Sequence, residues 1–515
     1  LELFSARSIH HRQLIADALT RTAIVNFRRG ESASALRRLN DADVATASIT
    51  DPATRNREQI DLAAAAAIIA PAASAGTDRA IDFHRTNGRR DLLPSLLLSR
   101  AQHHRVRNEL EAASRDLAEA FAEIEQQREA APRGDLRWSV FDASQEVVAE
   151  SIDLLLARGD PAAALALADR ARSRVLLDAL SDTSVAPLAA SLPPDTLLLE
   201  YVRLGERLVA FAADRDGVTA MNVSADRTAI DDLTASFHDA LLRNDPVAGS
   251  PLYAVLIAPM AERIARHATL VIVPDDTLEG LPFCALFDSR SRRYLIEDHA
   301  VIVAPSAAVY TAARRRRETR AGENGQLLIV ARPQRDGLQL HADEAEAIVP
   351  MYSSVKRLTG AAASRAAFIG AAPAADIVHF AGHGITDART GSALLLASSA
   401  TDSGILDTRD IEALSLPRTR TVVLAACGTA VGMRSGYEGP DSVARAFLAA
   451  GAPSVIATLW PIDDVLAAPI FISIHRRLAR GESAAEAVRQ AQLDAIRGAT
   501  PLSPLIWAAV QTIGS

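Results

Sequence analysis

Two short stretches constrain this chain more than any others. Residues 376–384 read DIVHFAGHG and residues 421–429 read TVVLAACGT. Each is a brief apolar run that stops at glycine, the pattern of a buried strand closed by a tight turn. At the stop the first run delivers His383 and the second delivers Cys427. If the two strands are neighbours in a parallel sheet, imidazole and thiol leave its carboxyl edge together, where open α/β sheets hold their sites. A thiol attacks a carbonyl as thiolate and needs a base beside it, and His383 is the candidate for that base. Attack creates an oxyanion, which the backbone amides of Gly384 and Cys427 are placed to hold, because glycine lets the main chain approach closely.

At 515 residues the chain has room for two to four domains. Alanine supplies much of the 49% hydrophobic content and aromatics only 4%, which favours closely packed helices over an aromatic-rich β-sandwich. Residues 1–184 have helical texture throughout, and no strand is expected there. Two pieces are alike: FRRGESASALRRLNDADVA from Phe27 and LARGDPAAALALADRARS from Leu156. Both show a helix end, a glycine stop, a turn and then small apolar residues at helical spacing, as in a helix-turn-helix repeat. The array resembles tetratricopeptide repeats, with only part of their aromatic and glycine landmarks. Such solenoids present a concave face to a peptide or partner protein; the alternative is a plain helical support.

Prolines in APLAASLPPD, residues 186–195, end that texture. A hairpin is expected over residues 196–213, with further strands at 270–276, 300–303 and 326–330 and at the two opening runs. Helices are expected at 229–267, 343–351 and 364–370. After Cys427 come a glycine-rich loop to Asp441, a helix at 442–450, a strand at 454–460 and a last amphipathic helix at 484–496. Strand and helix in alternation argue for a mostly parallel α/β sheet. The expected divisions are residues 1–184, 185–325 and 326–515.

The formal charge of −8 is spread along the chain, so nucleic acid is not expected as a primary ligand. Lys356 is the single lysine, which biased base composition explains more simply than selection for guanidinium. Two cysteines, Cys284 and Cys427, do not make a disulfide framework and suit a reducing compartment. The chain starts at Leu1 and shows neither a signal-peptide pattern nor an apolar run of about 18 residues. A cytoplasmic protein without membrane contact is expected. The Cys-His chemistry requires no cofactor, and the Cys and His count leaves little for a zinc site.

Several stretches together resemble one family: HFAGHG, VLAACGTA, RAFLAAGAPSVIATLWPIDD from Arg445, GESAAEAVRQAQ from Gly481, PDDTLEGLPFCALFD from Pro274, and ADRARSRVLLDAL from Ala168. From about residue 186 onward the chain is similar to the CHAT family, a caspase-like peptidase domain found joined to tetratricopeptide repeats, and more distantly to separase. The resemblance implies two caspase-like halves, the first without a site, and a cysteine endopeptidase acting on a protein substrate through His383 and Cys427. It also implies that an acidic residue after the Leu-Trp strand meets a basic substrate side chain. The matching position in LWPIDD is Asp464, with Asp463 able to exchange roles. Separase reads Trp-Asp where this chain has Trp460-Pro461, so the local backbone differs. Asp441 and Glu438 on the glycine-rich loop are rival acidic partners. His379 is read as a structural histidine supporting the site, and Cys284 as core. The run Arg314–Arg317 leads into a stretch read as an exposed linker after a helix; it is read first as a solvated basic helix end, with a self-processing site as the alternative given a basic preference. Bacterial defence and cell death are roles implied by resemblance alone. The rival reading is a silent scaffold; a third is an enzyme activated when a partner engages the helical region.

Overall fold

The computed structural model describes residues 9–69, 77–87, 90–130, 145–172, 176–177, 180, 188–245, 247–320, 325–331, 340–387, 391–435 and 439–515. It divides into two compact units, Leu1–Gly159 and Asp160–Ser515. The first is built of helices, with no strand among its described residues: Ile9–Arg28, Ser32–Ala47, Pro52–Ile69, Thr77–Thr86, Leu93–Val106, Leu110–Ala130 and Gln145–Ala157. The turn after Ile9–Arg28 is made by Gly30 at φ +78°, a left-handed conformation that glycine adopts without strain. Leu93, Leu96 and Leu97 face Ile81, Leu117 and Ile124 in a shared apolar core.

In the second unit the helix Pro161–Ala171 follows Gly159, also left-handed. Asp160 caps it by accepting from the amide of Ala163, and Pro161 takes the first turn, where a missing N–H costs nothing. The strands then run β1 (Thr196–Leu204), β2 (Arg207–Asp214), β3 (Gly217–Asn222), β4 (Thr269–Val273), β5 (Phe287–Asp288), β6 (Arg293–Tyr294), β7 (Ala300–Val303), β8 (Leu327–Ala331), β9 (Val355–Thr359) and β10 (Ile377–Ala381). They continue with β11 (His383–Asp387), β12 (Gly391–Leu395), β13 (Ile405–Asp407), β14 (Thr421–Ala425), β15 (Met433–Ser435), β16 (Gly439–Asp441), β17 (Ser454–Thr458) and β18 (Val510–Gly514).

Eleven of these form one sheet in the order β3-β2-β1-β4-β7-β18-β17-β14-β10-β8-β9. The pairs β1–β4, β4–β7 and β7–β18 are parallel, as are β17–β14, β14–β10, β10–β8 and β8–β9. The two sets meet at β17–β18, which is antiparallel. Apart from β2 and β3, which pair antiparallel at one edge, the sheet is therefore two parallel halves running in opposite directions. The fold is an α/β caspase-like domain of two halves, preceded by an all-α helical-repeat region.

The central strands are apolar on both faces because both faces are covered. Ile377, Ala381, Val423 and Ala425 join one core, while Val378, Phe380, Val422 and Leu424 join the other. This two-faced burial is why β10 and β14 read as continuous apolar runs.

The structure corrects several expectations. The strand β18 follows the expected last helix and lies in the middle of the sheet. The expected hairpin at 196–213 carries a third strand, β3. The run Arg314–Arg317 belongs to the end of the helix Ala307–Thr319, capped by Ser306, in keeping with the helix-end reading and not with a linker. There the guanidinium of Arg314 donates to the carbonyl of Ser191 at 2.9 Å and that of Arg316 to the carbonyl of Leu180 at 2.5 Å.

Candidate active site

The opening expectation required β10 and β14 to be parallel neighbours, and they are, with Ala381 opposite Ala425 in the ladder. Each strand is followed by one residue and then by the reactive side chain, so His383 and Cys427 leave the same edge at equivalent positions. The amide of Gly382 donates to the carbonyl of Ala425 at 3.2 Å and carries the pairing one step further. Next, Gly384 lies against the Cys427 main chain so closely that a β-carbon there would stand 2.5 Å from the Cys427 carbonyl oxygen. The two turns thus touch through backbone, which a larger residue would prevent.

The turn holding the thiol is clamped from β17. The Thr458 hydroxyl donates to the Ala426 carbonyl at 2.6 Å and accepts from the Gly428 amide at 3.1 Å. Thr429 accepts from the Thr458 amide at 3.2 Å, and Gly428 sits at φ +62°. Sequence reasoning missed both threonines. Their position at a strand end beside a Cys-Gly turn is the signal that could have found them.

Cys427 is half-buried. Burial, then the negative charge of Asp464, pushes its thiol above the ordinary value, while a backbone hydrogen bond at Ile462 works the other way. The segment after β17 therefore acts on the sulfur through the main chain at Ile462 and the charge of Asp464. Asp463 does something else: its carboxylate accepts from the amides of Val465 and Leu466 and caps the helix Asp464–Leu478. Asp441 ends β16, its carbonyl accepting from the Ser392 hydroxyl at 2.8 Å, and its charge acts on Glu412. Glu438 lies outside the described residues.

His379 is fully buried on the sheet face away from Val378 and Phe380. Its Nδ1 is 3.0 Å from Nε2 of His475, and its Nε2 is 3.1 Å from Glu344. Cys284 is core as expected, buried near Gln492 and the Ala508 carbonyl, with burial pushing its thiol up to about 12. Among the described residues, one carboxylate group, Asp17, Glu58 and Asp61 in the helical unit, has the spacing of a metal site. Gln13 donates to Glu58 and His84 faces Asp61.

Residues 219–515 match the model of the CHAT domain. The chain belongs to the CHAT domain family. The chain is 25% identical over 322 residues to human tetratricopeptide repeat protein 28, and 26% identical over 320 residues to the mouse protein. These alignments take in 51% of this chain and 13% of either relative, so the chain spans a small part of the length of the curated relatives it matches. Among solved structures it is similar to the separase chain of the Saccharomyces cerevisiae separase-securin complex, with TM-scores of 0.52 and 0.53 in two crystal structures. Identity there is 11% and 10%, over 98% and 97% of this chain and 47% and 46% of that one, a likeness of fold. No described helix of the CHAT protein is long and apolar enough to cross a membrane.

Proposed function

We propose that the protein is a cysteine endopeptidase cleaving a protein substrate after a basic residue, with the helical repeats receiving a protein partner that activates it. One observation supports this reading best: the in-register pair β10–β14 sends His383 and Cys427 off the same sheet edge, with Gly384 against the Cys427 carbonyl. The Cys427 thiolate forms a C–S bond to the peptide carbonyl carbon, and the amides of Gly384 and Cys427 receive the oxyanion. His383 holds the thiol proton and passes it to the leaving amine as the C–N bond breaks. Water then hydrolyses the thioester, releasing the carboxylic acid and restoring the thiol. Asp464 receives the basic side chain. Burial and then its charge hold the thiol up in the free protein, and a docked guanidinium or ammonium offsets that charge, so the matching substrate promotes its own attack.

In this reading residues 1–184 serve the partner, residues 185–325 are the half without a site, and residues 326–515 are the catalytic half. Two unpaired cysteines are in keeping with a reducing, cytoplasmic setting. The separase of similar fold was solved in complex with securin, which makes a protein regulator a reasonable class of partner here.

The raised thiol favours a second reading, a silent scaffold with a caspase-like fold. A peptide-library assay with and without candidate partners separates the two. Cleavage lost in Cys427→Ala is the expected result, and cleavage that survives it, or none in any condition, removes the peptidase. In Asp464→Asn two rates move in opposite directions. Iodoacetamide labels Cys427 faster at neutral pH because the anion opposing the thiolate is gone, while cleavage after Arg or Lys falls. Unchanged preference for basic residues would remove Asp464 from the substrate site.

A further inference from the structure

The interface between β10 and the helix Asp464–Leu478 carries a chain of four polar side chains in an apolar core. His379 and His475 are 0% exposed, Glu344 5% and Tyr352 7%. Around them Ile470, Phe471, Ile474 and Leu478 give the helix an apolar face that would hold it to the sheet without any polar group. Burying two imidazoles, a phenol and a carboxylate costs free energy that only directional contacts offset. Two hydrogen bonds and one close approach are present: the Tyr352 hydroxyl is 2.9 Å from Nδ1 of His475, His475 Nε2 is 3.0 Å from Nδ1 of His379, and the Glu344 carboxylate approaches His379 Nε2 to 3.1 Å.

The two imidazoles stand edge to face, with ring centroids 4.8 Å apart. Burial, then the neighbouring His379, holds His475 far below the ordinary imidazole value, and burial keeps the proton on Tyr352. One set of tautomers makes the first two links: the Tyr352 O–H donates to His475 Nδ1 and His475 Nε2–H donates to His379 Nδ1, while Glu344 stands close to His379 Nε2 without hydrogen-bond geometry.

The chain joins the two elements that bracket the candidate site. His379 lies on β10 two residues before Ala381, the partner of Ala425, and four before His383. His475 lies three turns along the helix that begins with Asp464. Apolar packing alone would let that helix slide or turn on the sheet, and Asp464 would move with it.

We propose that this buried chain is a positioning device, and that its working link is the hydrogen bond from His475 to His379, which fixes the strand leading to His383 against the helix carrying Asp464. The inference rests on the peptidase reading above. Two substitutions of His475 separate its two nitrogens. His475→Gln places an amide near the former Nε2 and keeps the link to His379, whereas His475→Asn places one near Nδ1 and keeps only Tyr352.

The test is kcat and KM on an acetylated tetrapeptide ending in Arg-aminomethylcoumarin, with melting temperature measured for each chain. His475→Asn should lose kcat by about tenfold or more, the scale of a slightly misplaced reacting group. Its KM should move little, and His475→Gln should restore most of the loss. Equal kcat in the Asn and Gln variants would overturn the inference while leaving the peptidase intact. No cleavage by the wild type, alone or with the candidate partners, would overturn the peptidase and the inference with it. Should His475→Asn not fold, Tyr352→Phe reads the same link in reverse: it spares His475–His379 and should keep kcat within about threefold, and a tenfold loss would count against the proposal.

Discussion

At position 384 only a hydrogen fits. A β-carbon there would meet the Cys427 carbonyl oxygen at 2.5 Å and the Thr429 methyl at 3.1 Å, and the first of these is backbone held by the Thr458 clamp. Gly384→Ala should therefore destabilise the fold by about 1–3 kcal/mol, as overpacking of a tight interior does. Urea unfolding measures it, and an unchanged midpoint would show that the two turns are not so close. His383 and Cys427 were legible because their signal is local, an apolar run that stops at glycine with one reactive side chain at the stop. Thr458, His475, Tyr352 and Glu344 were not, because each is defined by what the fold brings to it from a distant part of the chain. The acidic pair LWPIDD was half legible. Sequence placed Asp463 and Asp464 together, but only the helix start separates a cap from a residue whose charge acts on the thiol.

Among the elements, β10, β14 and β17 were readable because strands buried on both faces are apolar without interruption. β9 reads VKRLT and β18 reads VQTIG, where polar residues break the run, so neither stood out. The helix Asp464–Leu478 contains Pro469 within its first turns, a residue that ordinarily argues against a helix. In the first half the ends of β1 and β4 carry no thiol. Asp275, two residues beyond β4 as Cys427 is two beyond β14, pairs with Arg172 at 3.0 Å, and Arg172 also faces Glu200 of β1. Burial raises Glu200 from 4.5 to about 8 despite Arg172. A group raised on folding contributes stability that is complete below its unfolded value and is lost as pH rises through the folded one. The urea midpoint should thus fall between about pH 5 and pH 8, and Glu200→Gln should flatten that slope. An equal slope in the variant would place the titration elsewhere.

On the scale of the whole CHAT domain, the two opposed halves are joined by one strand. Thr512 of β18 pairs with Ile456 on one side and Ile302 on the other. Thr512→Pro removes a ladder donor from the middle of the sheet, a change worth about 3 kcal/mol or more. Calorimetry should then show the halves melting in separate steps, and a single unaltered transition would mean that their helices, not β18, hold them together. The place of β18 also has a consequence in time. Its partners β7 and β17, and every other strand of the sheet, precede it in the sequence, so the ribosome makes all ten before it. The earlier half can gather its core during synthesis, but the seam cannot close until residue 514 has cleared the exit tunnel. A nascent chain therefore carries both His383 and Cys427 for some while before the sheet behind them is complete, and the newborn protein is kept from finished form by the order of its own translation.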